Sequence, residues 1–364
     1  MRRLDNRRLR QWPGSERSRE SLGVRANLRL LLVSLLLVTS SGEAQTTAPL
    51  TFDKPIPVAV EHELAYINAV KCGSAGQIQL RFEKDAVTSI SADGRKTWWV
   101  SPKQIPDLLN SKVVRAGVTD FAPSDDGGVY LLMYRVFAKW AHDQAVARFD
   151  GDGVFVSLTP LDTDFDPDFR GRTLGAFPDG RLLVAGYDRV SAKPLTALFG
   201  ADGQLLRVVT LPGERRSDSK GQQVPNGDGS TGVPREIELS TAESGDDGNV
   251  YLTRSSPQGP AYVISPAGTA RGVDLHPPDD EAKLVDAKAS AGTIAVSYSY
   301  PSSSKRHDTS LIVLVDSQDG KVRRTIEYPY DYHETGAGVV CYQNNTFTFL
   351  SVDSAGFLQL VRAH

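Results

Sequence analysis

The sequence predicts an all-β fold, a six-bladed β-propeller that is closed by an N-terminal strand and preceded by a signal peptide or signal anchor. Three observations predict it. Two series of turn residues recur along the chain at similar intervals. The segments between the turns are short and rich in Val, Leu, Tyr and Phe, as strands are. An apolar run follows a basic N-terminal region, which is the layout of an export signal.

The turns define six repeated units. The first series falls at residues 76, 127, 180, 248, 292 and 345, and the second at residues 94, 153, 203, 268, 320 and 356. Asp-Gly and Asn-Asn pairs recur there because they tolerate the positive φ that tight hairpin turns demand. A four-stranded unit cannot bury both of its faces alone, so six units are expected to stack in a ring. A sandwich of irregular strands is the alternative.

The clearest unit runs from Val118 to Leu158, with its turns at Gly127 and Gly153. The last unit ends at His364, soon after its third strand. The extended segment Ile56–Val60 is therefore expected to supply the missing outer strand, which closes the ring and removes a free edge.

The remaining segments complete the domain organisation. Residues 1–44 contain nine Arg and an apolar run at residues 30–38, and they are predicted to be a signal peptide. An uncleaved inner-membrane anchor is the alternative. Residues 45–64 form the extension with the closing strand, and residues 65–364 form the propeller. Residues 213–235 are almost wholly polar and are expected to form an inserted loop.

Composition limits the partners. The 364 residues are 40% hydrophobic and carry a net charge of −3. The leader holds nine basic side chains and four acidic ones, so the other 320 residues carry 32 basic and 40 acidic side chains, a net charge of −8. This argues against nucleic acid as a partner, and it leaves an uncleaved anchor as the only expected membrane contact. We expect a monomer.

Two phrases carry a resemblance to a known family. Phe149-Asp150 before Gly153, and the run Pro178-Asp179-Gly180, resemble NHL-type and related six-bladed propellers over about residues 65–362. The resemblance implies the architecture and is nearly silent on activity, because such folds host many functions.

The two cysteines occupy equivalent positions in the first and last units. Cys72 and Cys341 each precede a first-series turn by four residues. Because those units are neighbours in a closed ring, an exported chain favours a disulfide between them. Two buried free thiols are the alternative.

Two segments contain candidate ligand-binding residues. Asp162, Asp164, Asp166 and Asp168 alternate along one segment, and such carboxylates can converge on a calcium ion. A solvated acidic link between blades is the alternative. Tyr330, Tyr332 and His333 lie between the fifth and sixth units, where connections end on one face of the ring, and they suit a binding surface.

The function predicted from these features is an exported binding or scaffold module for a protein or small-molecule ligand, in the periplasm or outside the cell. The Gly-x-Ser-x-Gly, His-Glu-x-x-His and P-loop motifs do not occur. The alternative function is a Ca²⁺-dependent hydrolase that resembles six-bladed lactonases, and Ca²⁺ is the one cofactor suggested. Its candidate ligands lie near the inner strand starts: Glu63, Asn68, Asp120, Glu238 and Asp286.

Overall fold

A computed structural model describes residues 49–58, 67–82, 86–106, 108, 112–191, 193–212, 240–254, 260–329 and 339–364. The chain divides after Ala44, and every described residue belongs to the second unit, Gln45–His364. The predicted leader and the predicted insertion 213–235 lie outside the described residues. Within them, no helix is long and apolar enough to cross a bilayer.

The described strands form six antiparallel sheets of four strands each, which are the six blades. Within blades 1 to 5 the strands follow chain order from the innermost to the outermost. Their bounds are β2 (Ile67–Cys72), β3 (Ile78–Phe82), β4 (Val87–Ile90) and β5 (Thr97–Val100) in blade 1; β6 (Val113–Pro123), β7 (Val129–Phe137), β8 (His142–Phe149) and β9 (Phe155–Pro160) in blade 2; and β10 (Phe169–Ala176), β11 (Leu182–Asp188), β12 (Pro194–Phe199) and β13 (Leu205–Val209) in blade 3.

The second half of the ring repeats the pattern. Blade 4 contains β14 (Ser240–Ser244), β15 (Val250–Arg254), β16 (Ala261–Ile264) and β17 (Ala270–Val273), and blade 5 contains β18 (Lys283–Ser290), β19 (Thr293–Ser299), β20 (Thr309–Asp316) and β21 (Val322–Pro329). Two 3-10 helices, Pro102–Gln104 and Ala138–Trp140, lie in connections.

Blade 6 is built from both ends of the chain, as predicted. Its three inner strands are β22 (Val339–Gln343), β23 (Thr346–Val352) and β24 (Leu358–Ala363), and its outer strand is β1 (Ile56–Pro57). Ile56 pairs with Leu360, and Pro57 pairs with Gln359. The N-terminal strand thus covers the edge of β24, and the ring closes without a free edge there.

The turns have the conformation that the sequence predicts. Backbone φ lies between 60° and 87° at all twelve positions of the two series. Many of these turns are held by an aspartate: Oδ1 of Asp202, for example, accepts the backbone N–H of Gln204 at 3.1 Å. One member of the second series is not equivalent to the others. In blades 1 to 5 the second-series turn joins the third strand to the outer strand, whereas Gly356 joins the second strand of blade 6 to the third. The turn to the outer strand is replaced there by the junction of the two chain ends.

The apolar core is divided among the blade interfaces. Buried apolar side chains of the described residues form six clusters, and each cluster joins two neighbouring blades. Phe149 belongs to the cluster of blades 1 and 2, and Phe199 to that of blades 2 and 3. Each blade is therefore stabilised by its neighbours on both faces.

The six inner strands enclose the central channel. They are β2, β6, β10, β14, β18 and β22, and all six run toward a first-series turn. We call that end of the channel the turn side, and the end at which these strands begin the link side. All inner strands except β14 contain a β-bulge, which bends a strand and redirects the side chain of the extra residue.

Candidate functional site

Lys71 reaches across the channel from blade 1. Its side chain is 3% exposed. Its Nζ donates to Oδ2 of Asp120 in blade 2 at 2.7 Å and to the carbonyl oxygen of Leu174 in blade 3 at 2.9 Å. The same Asp120 oxygen accepts the backbone N–H of Leu174 at 2.7 Å. One ammonium thus joins the inner strands of three blades.

Lys288 crosses the channel from blade 5. Its side chain is 2% exposed. Its Nζ donates to Oε1 of Glu243 in blade 4 at 2.6 Å and to the carbonyl oxygen of Val70 in blade 1 at 2.9 Å. Oδ2 of Asp286, on the same strand as Lys288, lies 3.0 Å from Nζ. We call Lys71, Asp120, Glu243, Asp286 and Lys288 together the lysine plug.

Three consecutive residues of β2 connect the ring. Val70 accepts from Lys288, Lys71 contacts blades 2 and 3, and Cys72 forms a disulfide with Cys341 in blade 6, with 5.0 Å between the Cα atoms. Both cysteines are buried. Through these residues and through Glu243, every inner strand is tied to another by a covalent or charged contact.

Two ammoniums face three carboxylates in the plug, and Lys288 serves two of them. Burial raises the pKa of Glu243, and the ammonium of Lys288 opposes that effect. Burial also acts to lower the pKa of Lys288, but Asp286 and Glu243 outweigh it and hold that pKa above its ordinary value. Lys288 is therefore a firmly held cation at neutral pH, and its two carboxylate neighbours already have a counter-charge.

The link-side mouth of the channel has a different character from the plug. We define it by four exposed residues that precede the plug on the inner strands: Asn68, Arg115, Arg172 and Lys283. Asn68 and Arg172 are the extra residues of β-bulges. A residue of an inner strand is flanked by blades on both sides, so its exposure places it in the channel or at its end. These four residues are polar and include three cations, and the exposed Val114 of β6 adds an apolar side chain beside them.

The three described candidate ligands of the lactonase alternative do not come together as a metal site. Asp120 and Asp286 face lysine ammoniums in the plug, and Asn68 is exposed at the mouth. Glu63 and Glu238 lie outside the described residues. Where the structure describes the chain, no three His, Cys, Asp or Glu side chains are grouped so that they could hold a metal ion.

The alternating aspartates occupy the link between β9 and β10. Oδ1 of Asp162 accepts the N–H of Asp164 at 3.1 Å, and Oδ1 of Asp166 accepts the N–H of Asp168 at 3.0 Å. Asp168 also pairs with Arg189 at 3.0 Å. These contacts hold the link itself, so the Ca²⁺ site predicted at these residues gains nothing from the geometry and stays a prediction.

The three predicted binding residues Tyr330, Tyr332 and His333 lie outside the described residues. The strands on either side of them show which blades they connect: β21 ends at Pro329 in blade 5, and β22 begins at Val339 in blade 6. Their role in binding stays a prediction.

Sequence reasoning missed Lys71, Glu243 and Lys288. A signal for them is present in the repeats, because each is a charged residue four or five positions before a first-series turn, at Gly76, Gly248 and Gly292. A charge that recurs inside strands otherwise rich in apolar residues indicates contacts at the ring axis.

Comparison with known proteins gives no family. No family model and no curated protein matches the sequence, so the resemblance to NHL-type propellers is not confirmed beyond the six-bladed architecture. Similar solved structures include a PQQ-bound aldose sugar dehydrogenase from Streptomyces coelicolor, with 10% identity and a TM-score of 0.43 over 88% of this chain and 100% of that one. A Bacteroides fragilis protein whose name presents it as exported has 9% identity and a TM-score of 0.48 over 88% and 97%. Similarity at this level carries no argument about activity.

Proposed function

We propose that the chain is an exported β-propeller that binds a ligand or a protein partner, as a binding or scaffold module. The observation that carries the proposal is the lysine plug. The plug occupies the part of the channel where carboxylates of different inner strands lie close together. The surfaces that remain for binding are the two faces of the ring. A ring whose inner strands are tied across its axis is a rigid support for such a surface.

The plug also argues against the hydrolase alternative. In that alternative, carboxylates from several blades hold a metal ion in the channel. Asp120 and Asp286 instead have ammonium partners at 2.7 and 3.0 Å. Each of these carboxylates already has the positive charge of a lysine beside it, so a calcium ion is not required to compensate its charge. We therefore propose no metal-dependent reaction.

Export is supported by two features of the chain. The basic and apolar segments of residues 1–44 have the layout of a secretory signal. The Cys72–Cys341 disulfide belongs in an oxidising compartment. We propose the periplasm or the extracellular space as the location, with the chain as a monomer, either free or held by an uncleaved anchor.

The link-side mouth is the surface we propose for binding. It presents Asn68, Arg115, Arg172 and Lys283 from four different blades, held on strands rather than on loops. The backbone of strands in a closed ring needs no ordering when a ligand binds, which favours affinity.

Site-specific photo-crosslinking of the full chain in its own cells tests this proposal. A photoreactive residue at Asn68 or Lys283 should give discrete adducts, while the same residue at Leu206, exposed on the outer strand β13, should not. The proposal is wrong if the mouth positions give no adduct, or if purified chain hydrolyses esters or lactones in a Ca²⁺-dependent way.

A further inference from the structure

Two arginines of the mouth are held in place by aromatic rings. The guanidinium of Arg115 lies over the ring of Tyr134, 5.8 Å from its centroid. Gly117 makes room for that ring, since a Cβ there would lie 2.7 Å from Tyr134 atoms. Arg172 lies 5.7 Å from the ring centroid of Tyr187, and its Nη2 donates to the Tyr187 hydroxyl at 3.3 Å. Both cations are therefore oriented before any ligand arrives.

The two arginines lie on neighbouring strands, on the same side of the plug. Their strands, β6 and β10, are joined by the hydrogen bond between Asp120 and the N–H of Leu174. Arg172 precedes Leu174 by two residues, which is about 7 Å along a strand. Arg115 lies farther toward the link side on β6.

The two arginines have no carboxylate partner among the described residues. Within the described part of the chain, no Asp or Glu forms an ion pair with Arg115, Arg172 or Lys283, whereas other exposed arginines such as Arg148 and Arg189 do. Each carboxylate of the plug contacts a lysine ammonium, Asp120 that of Lys71, and Glu243 and Asp286 that of Lys288. Among the described residues, the mouth thus has three cations on three inner strands without a carboxylate partner.

We propose that the link-side mouth binds a small anionic ligand through carboxylate or phosphate groups. The inference rests on the proposed binding function and specifies its ligand class. Guanidinium groups bind such oxyanions with two parallel N–H···O bonds, and fixed arginines lose little freedom in doing so. Cations at the mouth of a channel with walls of low dielectric constant also raise the local concentration of anions.

Isothermal titration calorimetry of the full chain with citrate and with inorganic phosphate tests the inference, at an ionic strength matched with sodium chloride. We expect saturable one-to-one binding of at least one anion with a Kd of about 1 mM or tighter. Citrate alone would assign a carboxylate ligand, and phosphate alone a phosphorylated one.

Variants locate the binding. R115Q and R172Q should each weaken it about tenfold, the usual effect of one lost charge-assisted contact. K283Q changes only an exposed side chain and should also weaken it. The control is R148Q: Arg148 lies 5.8 Å from the ring centroid of Tyr130 but pairs with Asp126, and its loss should change Kd less than twofold.

Two results would overturn the inference: neither anion binds, or R148Q weakens binding as much as R172Q and K283Q do. Crosslinks at Asn68 and Lys283 without anion binding would overturn the anionic ligand class alone and leave the proposed binding function standing. Circular dichroism of each variant confirms that it is folded.

Discussion

Lys288 is the residue whose removal should affect the ring most strongly. A buried cation that serves Glu243 and Asp286 leaves two uncompensated carboxylates when it is lost, which typically costs about 3–5 kcal/mol. We expect K288M to lower the free energy of unfolding by about this amount in urea denaturation.

The matched control is K321M, since Lys321 pairs with Asp319 on the exposed surface and its loss should leave the urea midpoint nearly unchanged. E243Q in the K288M background should recover part of the lost free energy of unfolding, because it removes one of the two carboxylates that no longer have a lysine partner. A K288M protein as stable as the wild type would show that the plug does not hold the ring together.

Asp179 should make the turn of blade 3 sensitive to acid. Hydrogen bonds from the Arg181 side chain lower the pKa of Asp179 below its ordinary value. Because the folded pKa is the lower one, the contribution to stability is present above the unfolded pKa and is lost as pH falls through the folded pKa.

We expect D179N to lower stability at pH 7 by less than about 1 kcal/mol, since the site is partly exposed. The difference from wild type should disappear below about pH 3, where the wild-type carboxylate is protonated too. Urea midpoints at pH 7, 5 and 3 measure it, and a difference that grows on acidification would contradict the assigned pKa direction.

At the scale of single elements, the turns differ in what surrounds them. Gly203 and Gly356 have φ of +80° and +87°, so both disfavour a side chain. A Cβ at Gly203 would collide with the carbonyl oxygen of Pro160 in the neighbouring blade, whereas nothing lies within 4 Å of one at Gly356.

The two glycines therefore form a matched pair. G356A should cost about 1 kcal/mol from backbone strain alone, and G203A roughly 3 kcal/mol, because a blade interface must also shift. Chemical unfolding of both variants gives the comparison. Equal losses would show that the turn of blade 3 does not pack on blade 2 as described.

The closing strand shows what the sequence was able to predict at this scale. The missing fourth strand of the last unit, together with the extended segment after the leader, was enough to place β1 on β24. The same reasoning misplaced Gly356. A Ser-Ala-Gly turn looks alike at either end of a blade, and only strand order distinguishes the two ends.

For the whole molecule, the disulfide acts on ring closure. It joins residues 269 apart, and in the chain-entropy model a loop of this length is stabilised by on the order of 5 kcal/mol. C72S/C341S should lose a comparable amount, and reduced wild type should behave like the variant in denaturant. If a reductant leaves the wild type unchanged, the bond does not contribute to closure.

The architecture was predictable from the sequence, whereas the candidate site was only partly so. Turn spacing is a local signal, and it predicted six blades of four strands. The plug depends on contacts between distant residues, such as Lys288 and Val70, which are 218 positions apart. Asp120 and Asp286 were identified as channel residues, but their lysine partners were not, because pairing across a ring requires the ring to be assembled.

Thermal unfolding of the full chain with Ca²⁺ and with a chelator tests whether the lysines of the plug, rather than a metal ion, satisfy the channel carboxylates. If the plug satisfies the channel carboxylates with lysines, the midpoint should be the same in both buffers. A folded-state ligand at 100 times its Kd would stabilise the protein by about 2.7 kcal/mol, which is a shift of several degrees. A rise of that size with Ca²⁺ that persists in a D162N/D164N/D166N/D168N variant would contradict the plug and restore the metal-dependent hydrolase.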